Sequence, residues 1–181
     1  AQYLQLVDVS APSLSFVPPQ FMTFGTTNTL SSSTTPASTV TYSLVGGDTN
    51  NQLIVNSGTG SVTVRATVAA TADRGGATAD ATITFQKASQ TITFDPLSTT
   101  GDTSESARTL IATSSSGLTV TLTSGNPGVA SLTSGNALNF NSPGSAVITA
   151  SQAGNDNYEA ATSVARTYTV TGPNFDTLFG G

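Results

Sequence analysis

Short runs rich in Val, Ile, Thr, Tyr and Phe recur along the whole chain, and Gly, Asn, Ser or Pro residues separate them. Several runs alternate apolar and polar residues, as at Val40, Tyr42 and Leu44, which places one set of side chains on one face of a strand. Asn126-Pro127-Gly128 and Ser142-Pro143-Gly144 have the composition of tight turns. Many short strands joined by tight turns predict an all-β fold built from β-sandwiches.

The strand pattern occurs twice. In the second copy we predict strands near residues 91–94, 108–112, 118–123, 129–132, 137–140, 145–151 and 163–170. Residues 13–85 repeat the pattern in a divergent form. There Ser13 to Phe16 match Thr91 to Phe94, Thr39 to Leu44 match Gly117 to Leu122, and Ser61 to Ala66 match Ser145 to Ala150. A length of 181 residues accommodates two small sandwiches of roughly 80 residues each.

Residues 90–170 resemble one repeat of the bacterial immunoglobulin-like family, which forms tandem arrays on large extracellular surface proteins. The resemblance is carried by Thr91-Ile92-Thr93-Phe94, Ser115-Ser116-Gly117-Leu118, Ser124 to Pro127 followed by Val129-Ala130, and Ala150 to Tyr158. One motif departs from the family pattern, because Thr99-Thr100 stands where an aromatic residue usually precedes Gly101-Asp102. Residues 13–85 resemble the family more weakly. The resemblance implies two tandem immunoglobulin-like β-sandwich domains.

The resulting domain organisation has five segments. We expect an extra N-terminal strand in residues 1–12, a first, divergent immunoglobulin-like sandwich in residues 13–86 and a short, stiff linker in residues 87–90. A second immunoglobulin-like sandwich then fills residues 91–170, and residues 171–181 form an apolar C-terminal tail.

Composition argues against several classes of function. The chain has no His and no Cys, which removes Ser-His-Asp and Cys-His catalytic arrangements and the usual zinc sites, so we expect neither an enzyme nor a bound cofactor. It has only five Lys and Arg residues, without a basic patch, which argues against nucleic-acid binding. No run is long and apolar enough to span a membrane. Ala1-Gln2 resembles a start left by signal-peptide cleavage, so we expect a secreted protein at the cell surface.

Oxygen-rich loops are weak candidates for calcium binding, because calcium takes carboxylate and amide oxygens as ligands. The acidic candidates are Asp48, Asp73, Asp80, Asp156 and Glu159. None of the loops has the spacing of an EF-hand, and Asx residues are also common in ordinary turns.

Apolar segments flank the two predicted sandwiches. Because an apolar strand with unpaired backbone groups does not stay free in water, these segments are candidates for contacts between copies of the chain. The candidate assembly residues are Tyr3, Leu4, Leu6, Val7, Val9, Phe175, Leu178 and Phe179. The alternative for the N-terminal segment is an extra edge strand on the first sandwich. The alternatives for the C-terminal segment are a tail folded back onto its own domain and the start of a further unit.

The leading functional hypothesis is therefore a subunit of a bacterial surface fibre that self-associates head-to-tail into a homopolymer. One alternative is a stalk or adhesive segment of a larger surface protein, in which the repeats only set reach. Another is a binding module for a host or cell-surface glycan or protein. A stacking site for sugar rings has little support, since the chain has no Trp and only Tyr3 lies outside the predicted core.

Overall fold

A computed structural model describes residues 10–45, 51–95 and 98–173. Within these ranges every regular element is a β-strand except one turn of 3-10 helix at Ser134–Asn136, which confirms the all-β fold class. No helix in the described ranges is long and apolar enough to cross a membrane. The chain divides into two compact units, Ala1–Ala88 and Ser89–Gly181, which we call unit 1 and unit 2.

Unit 1 contains eight described strands in three sheets. They are β1 (Ser13–Ser15), β2 (Phe21–Thr23), β3 (Thr27–Thr29), β4 (Ser33–Thr35), β5 (Thr41–Leu44), β6 (Gln52–Ile54), β7 (Ser61–Val68) and β8 (Ala77–Gln86). The four-stranded sheet has the order β2-β8-β7-β5, and the pairs β1-β4 and β3-β6 are two-stranded sheets. All pairs are antiparallel except β2-β8, which is parallel.

Unit 2 contains nine described strands. They are β9 (Ile92–Phe94), β10 (Thr100–Asp102), β11 (Arg108–Thr109), β12 (Ala112–Ser114), β13 (Thr121–Ser124), β14 (Ala130–Thr133), β15 (Ala137–Phe140), β16 (Gly144–Ser151) and β17 (Val164–Thr171). The sheets have the orders β10-β17-β16-β13, β11-β15-β14 and β12-β9. The one parallel pair among the described strands of this unit is β10-β17.

The two units share one pairing scheme. The first strand pairs antiparallel with the fourth (β1-β4 and β9-β12), and the second pairs parallel with the last (β2-β8 and β10-β17). In each unit, one core cluster combines side chains from the four-stranded sheet with side chains from the smaller sheets. Each unit is therefore a β-sandwich of the immunoglobulin-like type.

Strand register defines which residues occupy equivalent core positions in the two units. Ala66 and Ala150 are both buried on the penultimate strand, and Tyr42 lies opposite Ala66 as Leu122 lies opposite Ala150. Tyr42 therefore corresponds to Leu122, not to Val120 as the sequence match of residues 39–44 to 117–122 implies. The difference of two residues keeps the same face of the strand inward, since side chains alternate with a period of two.

Further equivalent pairs follow from the strand registers, from matching backbone hydrogen bonds next to the strands, or from the sequence match of residues 13–16 to 91–94. They are Phe16 and Phe94, Leu30 and Leu110, Leu53 and Leu138, Val64 and Ile148, and Ile83 and Tyr168, all of which are buried.

One pair of equivalent positions exchanges volume between the units. Met22 corresponds to Gly101, because Met22 lies opposite Phe85 and Gly101 opposite Val170 on the last strands. Unit 2 compensates for Gly101 with Phe140, whose ring tip fills the space that a side chain on residue 101 would occupy. In unit 2 the aromatic ring of Phe140 thus occupies the space beside the second strand, whereas in unit 1 the second strand has its own buried side chain, Met22.

Candidate functional site

The predicted assembly residues Tyr3, Leu4, Leu6, Val7, Val9, Phe175, Leu178 and Phe179 all lie outside the described residues. The described parts nearest to them are residues 10–12, which lead into β1, and residues 172–173, which follow β17. Pro12 is buried, so the backbone is anchored immediately before β1.

In unit 2, the chain enters and leaves at opposite ends of the four-stranded sheet. Gln90, just before β9, donates hydrogen bonds through Nε2 to Oε1 of Gln152 and to the carbonyl oxygen of Glu159, both at 2.7 Å. Both acceptors belong to the connection that ends where β17 begins. The chain leaves from the other end of β17, where Thr171 lies beside Asp102. A strand of eight residues separates the two points by about 25 Å.

Unit 1 has the same parallel pairing of its second and last strands. Phe21–Thr23 run alongside residues 84–86 at the end of β8. β2 and β8 run in the same direction. The chain therefore leaves unit 1 at the edge of the sheet where the C-terminal ends of both strands lie.

Four of the five calcium candidates belong to the described residues, and those four do not form one cluster. Arg65 donates to both carboxylate oxygens of Asp80 at 2.7 Å, and these hydrogen bonds lower the pKa of Asp80. Asp73 lies in the tight turn between Thr71 and Arg74, where the two backbones exchange hydrogen bonds. Across the described ranges, no three Asp or Glu side chains come together in a way that could hold a metal ion.

The other candidates lie in loops, and Asp48 falls outside the described residues. Asp156 and Glu159 are exposed in the connection between β16 and β17. In that loop, Oδ1 of Asn155 accepts hydrogen bonds from the backbone N–H groups of Asn157 and Tyr158, both at 2.9 Å. This is the local turn bonding that Asx residues commonly make.

Three tyrosines belong to the described part of the chain. Tyr168 is fully buried, whereas Tyr42 and Tyr158 are partly buried. The Tyr42 hydroxyl lies 2.8 Å from Oγ of Ser32, at the margin of the unit 1 core. None of the three tyrosines is exposed.

A groove in unit 1, which sequence reasoning missed, lies between β5 and β6. Its volume is about 200 Å³, and it is lined by Leu30, Ser43, Leu44, Gln52, Leu53, Ile54 and Val64. Ile54 on β6 and Val45 just after β5 are each 55% exposed, which is high for large apolar side chains. The groove is therefore apolar, with one edge formed by a strand.

In unit 2, the equivalent place is filled by β14. This strand pairs with β15, and Leu132 lies opposite the buried Leu138, the counterpart of Leu53. Oγ of Ser124, the counterpart of Leu44, donates to the Ala130 carbonyl oxygen at 2.6 Å. Ala130 is fully buried and Leu132 packs against the same core. β14 thus covers the part of unit 2 that corresponds to the groove.

The groove could have been predicted from the sequence by comparing the lengths of the equivalent connecting segments in the two units. Seven residues, 45–51, separate β5 from β6, whereas twelve residues, 125–136, separate β13 from β15. The twelve include the four residues of β14 and the helical turn.

Comparisons with known proteins give similar folds only. No family model matches the chain, and no curated protein matches it. Among solved structures, the S-layer protein rSbsC shares 17% identity over 90% of this chain and 27% of its own, with a TM-score of 0.40. A C-terminal fragment of intimin, crystallised with the intimin-binding domain of its translocated receptor, shares 20% identity over 87% of this chain and 51% of its own, with a TM-score of 0.36.

Drosophila N-cadherin EC1-4 shares 13% identity over 88% of this chain and 51% of its own, with a TM-score of 0.31. The chain thus spans about a quarter to a half of the length of these structures. At these TM-scores, the likenesses carry no argument about what the chain does.

Proposed function

We propose that this chain is a non-enzymatic extracellular structural protein, a subunit of a bacterial surface fibre that assembles head-to-tail through residues 1–12 and 171–181. The observation that supports this most is the arrangement of unit 2, which the chain enters at one end and leaves at the other. The apolar residues within segments 1–12 and 171–181 are candidates for contacts with neighbouring copies. A head-to-tail contact whose rotation does not close generates a filament.

The surface composition is compatible with an extracellular location. The outer face of the four-stranded sheet in unit 1 carries hydroxyl groups on adjacent strands, such as Thr63 and Thr82, whose Oγ1 atoms are 3.1 Å apart. Charged residues make up 8% of the chain, and the five Lys and Arg residues leave few sites for trypsin-like proteases.

The second candidate function is a stalk segment of a larger surface protein. The same separation of entry and exit would let unit 2 add length along a chain of repeats. A stalk differs from a fibre subunit in one measurable respect, since a stalk segment needs no contact with other copies.

Negative-stain electron microscopy and light scattering distinguish the two functions. The samples are the full 181-residue chain, a chain without residues 1–9 and a chain without residues 174–181, which retain every described strand. We expect regular filaments from the full chain and monomers from both truncated chains, with the β-type circular dichroism spectrum unchanged. Monomers of the full chain at high concentration would contradict the fibre and leave the stalk. A glycan- or protein-binding module would keep its affinity for the partner in both truncated chains.

A further inference from the structure

A second groove lies in unit 2 beside β12, the strand that pairs with β9. Its volume is about 350 Å³, and no charged side chain belongs to its lining. Part of the lining is β12 itself, and most of the rest is the segment that leads into β13. The lining residues are Ala112, Thr113, Ser114, Gly117, Leu118, Thr119, Val120 and Asn136. We call this space the β12 groove.

The hydrogen bonds of β12 show which of its backbone groups face away from β9. The Ile111 carbonyl accepts from Asp95 N–H at 3.0 Å, in the register that continues through the pairing of β12 with β9. Alternate residues of an antiparallel strand direct their backbone groups to opposite sides. Residues 111 and 113 therefore face β9, and the backbone groups of Ala112 and Ser114 face the other side.

Three backbone groups on that side have no hydrogen-bond partner among the described residues. They are the N–H and the C=O of Ala112 and the N–H of Ser114. The Ser114 carbonyl is satisfied, because Gly117 N–H donates to it at 3.2 Å. Within the described ranges, β12 pairs with β9 alone. A strand edge with open backbone groups is a template for another strand.

The β12 groove also offers apolar surface to an added strand. Ala112 packs against the unit 2 core, and every second side chain of a strand paired with β12 would point to the same face. On that face the groove is lined by Leu118, which is half-buried, and by the buried Val120. Strand addition recognises its partner in this way, through main-chain hydrogen bonds and pockets for alternate side chains.

Unit 1 lacks the same apolar lining. Oγ of Ser114 donates to the Leu118 carbonyl at 2.7 Å, and at the equivalent place Oγ1 of Thr34 donates to the Ser38 carbonyl at 3.5 Å. The serine of unit 1 thus stands where unit 2 has Leu118. The acceptor that these contacts describe belongs to unit 2.

We propose that the β12 groove accepts Leu4-Gln5-Leu6 of a second copy as an added strand. Residues 1–9 contain no Gly or Pro, and apolar and polar residues alternate in this triplet. β12 pairs with β9 over three residues, so a triplet matches the length of a pairing that the sandwich already contains. This inference rests on the proposed fibre function, because it joins the N-terminal segment of one copy to the C-terminal unit of the next.

Distance from the donor's own unit 1 favours this triplet over Val7-Asp8-Val9. Pro12 is buried, so the chain is anchored at the start of unit 1. Leu6 precedes Ser10, the first described residue, by four positions, which span about 13 Å of extended chain. Residues 174–181 match the groove less well, because they contain no apolar-polar-apolar triplet and include two consecutive Gly residues, which are depleted in strands.

Binding of a fluorescent peptide of residues 1–9 to the chain that lacks residues 1–9, measured by fluorescence anisotropy, is the direct test. The comparison peptides are Leu4→Ser/Leu6→Ser, Gln5→Ser and residues 174–181. We expect saturable binding of the original and Gln5→Ser peptides, with slower hydrogen exchange at the amides of Ala112 and Ser114. Failure of the original peptide to bind, equal binding of the Leu4→Ser/Leu6→Ser peptide, or preferential binding of the 174–181 peptide would overturn the proposal.

A proline at position 112 blocks the edge and leaves the pairing of β12 with β9 in place. The Ala112 N–H faces away from β9, and proline is tolerated on an edge strand where its nitrogen faces outward. We expect Ala112→Pro to weaken peptide binding by about tenfold, since the added strand loses a main-chain hydrogen bond and keeps an unpaired carbonyl. The matched variant Ala112→Ser keeps the N–H group and should bind as the original chain does. Equal peptide binding by the two variants would refute the edge.

A second pair of variants tests the apolar lining without changing the backbone. Leu118→Asn places a polar side chain in the groove and should weaken peptide binding by about tenfold. Its control is Ile111→Asn, because Ile111 is an exposed apolar residue next to β12 that does not line the groove. Equal effects of the two substitutions would refute the groove. Hydrogen exchange in β16 and β17 verifies that unit 2 is folded in each variant, and the Leu118 pair decides if Ala112→Pro does not fold.

The same variants of the full chain separate the groove from the fibre. If Ala112→Pro and Leu118→Asn chains still form polymers that are lost without residues 1–9, the groove is wrong and the fibre stands. If the peptide binds the groove but the full chain stays monomeric, the acceptor stands and the fibre fails. If residues 1–9 slow exchange at Ala112 and Ser114 in a monomer, independently of protein concentration, the second copy as donor is refuted.

Discussion

Replacing Gly101 with alanine provides a sharp test of how the unit 2 core is packed. Gly101 is buried on β10, and a Cβ atom at this position would lie 2.6 Å from Cζ and 2.8 Å from Cε1 and Cε2 of Phe140. The backbone of Gly101 is outside the left-handed region, so alanine meets no conformational penalty there. The effect of the substitution is therefore steric.

The size of the effect follows from these distances. The Phe140 ring tip must retreat by about 1 Å to restore an ordinary carbon–carbon separation of about 3.5–4.0 Å. The guanidinium of Arg108 covers the ring at 5.0 Å from its centroid, and the ring is buried, which limits that movement. Overpacking typically costs about 1–3 kcal/mol, and a glycine-to-alanine change returns about 0.4–1 kcal/mol through the unfolded state. We expect a net destabilisation of about 1–2 kcal/mol.

Native-state hydrogen exchange on the full chain measures this change in unit 2 separately. Amides of β16 and β17 report the opening free energy of unit 2, and amides of β7 and β8 serve as the reference within the same molecule. The matched control is Gly128→Ala, because a Cβ atom on Gly128 would meet only Oδ1 of Asn126, at 3.6 Å. We expect the control to stay within about 0.5 kcal/mol of the original chain.

The double variant Gly101→Ala/Phe140→Leu decides whether the clash is the cause. A shorter side chain at position 140 leaves room for the added methyl group, so the two changes should offset each other by at least about 1 kcal/mol. Strict additivity of the two single changes would refute the reasoning, as would a Gly101→Ala chain as stable as the original.

Three further predictions concern other side chains. Tyr168→Phe should leave stability unchanged or raise it by up to about 1–2 kcal/mol, because the buried Tyr168 hydroxyl has no hydrogen-bond partner among the described residues; a clear drop in the thermal midpoint would contradict this. Hydrogen bonds from Arg65 hold the pKa of Asp80 below its ordinary value. The Asp80 carboxylate therefore stabilises the fold at pH values above its pKa in the unfolded chain. This stabilisation is lost as the pH falls through its lower pKa in the folded chain. Carboxyl NMR should therefore show Asp80 titrating at a higher pH in Arg65→Gln, and an unchanged midpoint would exclude the ion pair as the cause. Gly154→Ala should disrupt the loop of residues 154–160, because Gly154 has a φ of 77° and an added Cβ atom would collide with the Tyr158 carbonyl. Hydrogen exchange at the Tyr158 amide should therefore become faster, and an unchanged rate would contradict this prediction.

Sequence periodicity predicted the strands that have a regular pattern. Val64 and Ala66 on β7 are both buried, as alternation along that run requires. The run Ala146-Val147-Ile148 is ambiguous because three consecutive apolar residues do not define which face is inward. The structure places Ala146 and Ile148 inside, whereas Val147 is 43% exposed.

Two features depended on information that a local pattern does not contain. β10 was missed because Thr100-Gly101-Asp102 has the composition of a loop, and its single inward position holds a glycine whose space is filled by Phe140. The groove of unit 1 depends on the distance in sequence between two strands, not on the residues of either one. Register in the folded structure makes both features visible, because it aligns the two units position by position.

The parallel pairing of β10 with β17 determines how unit 2 responds to tension. A pull on the segment before β9 first loads the pairing of β9 with β12. Once β9 has detached, the pull acts on β10 and β17 in opposite directions along their length. The hydrogen bonds between them lie across that direction, so the pull shears all of them together. Mechanical resistance of the unit is then set by its unfolding rate under load. Because β2 and β8 also pair in parallel, unit 1 contains backbone hydrogen bonds of the same geometry between its second and last strands.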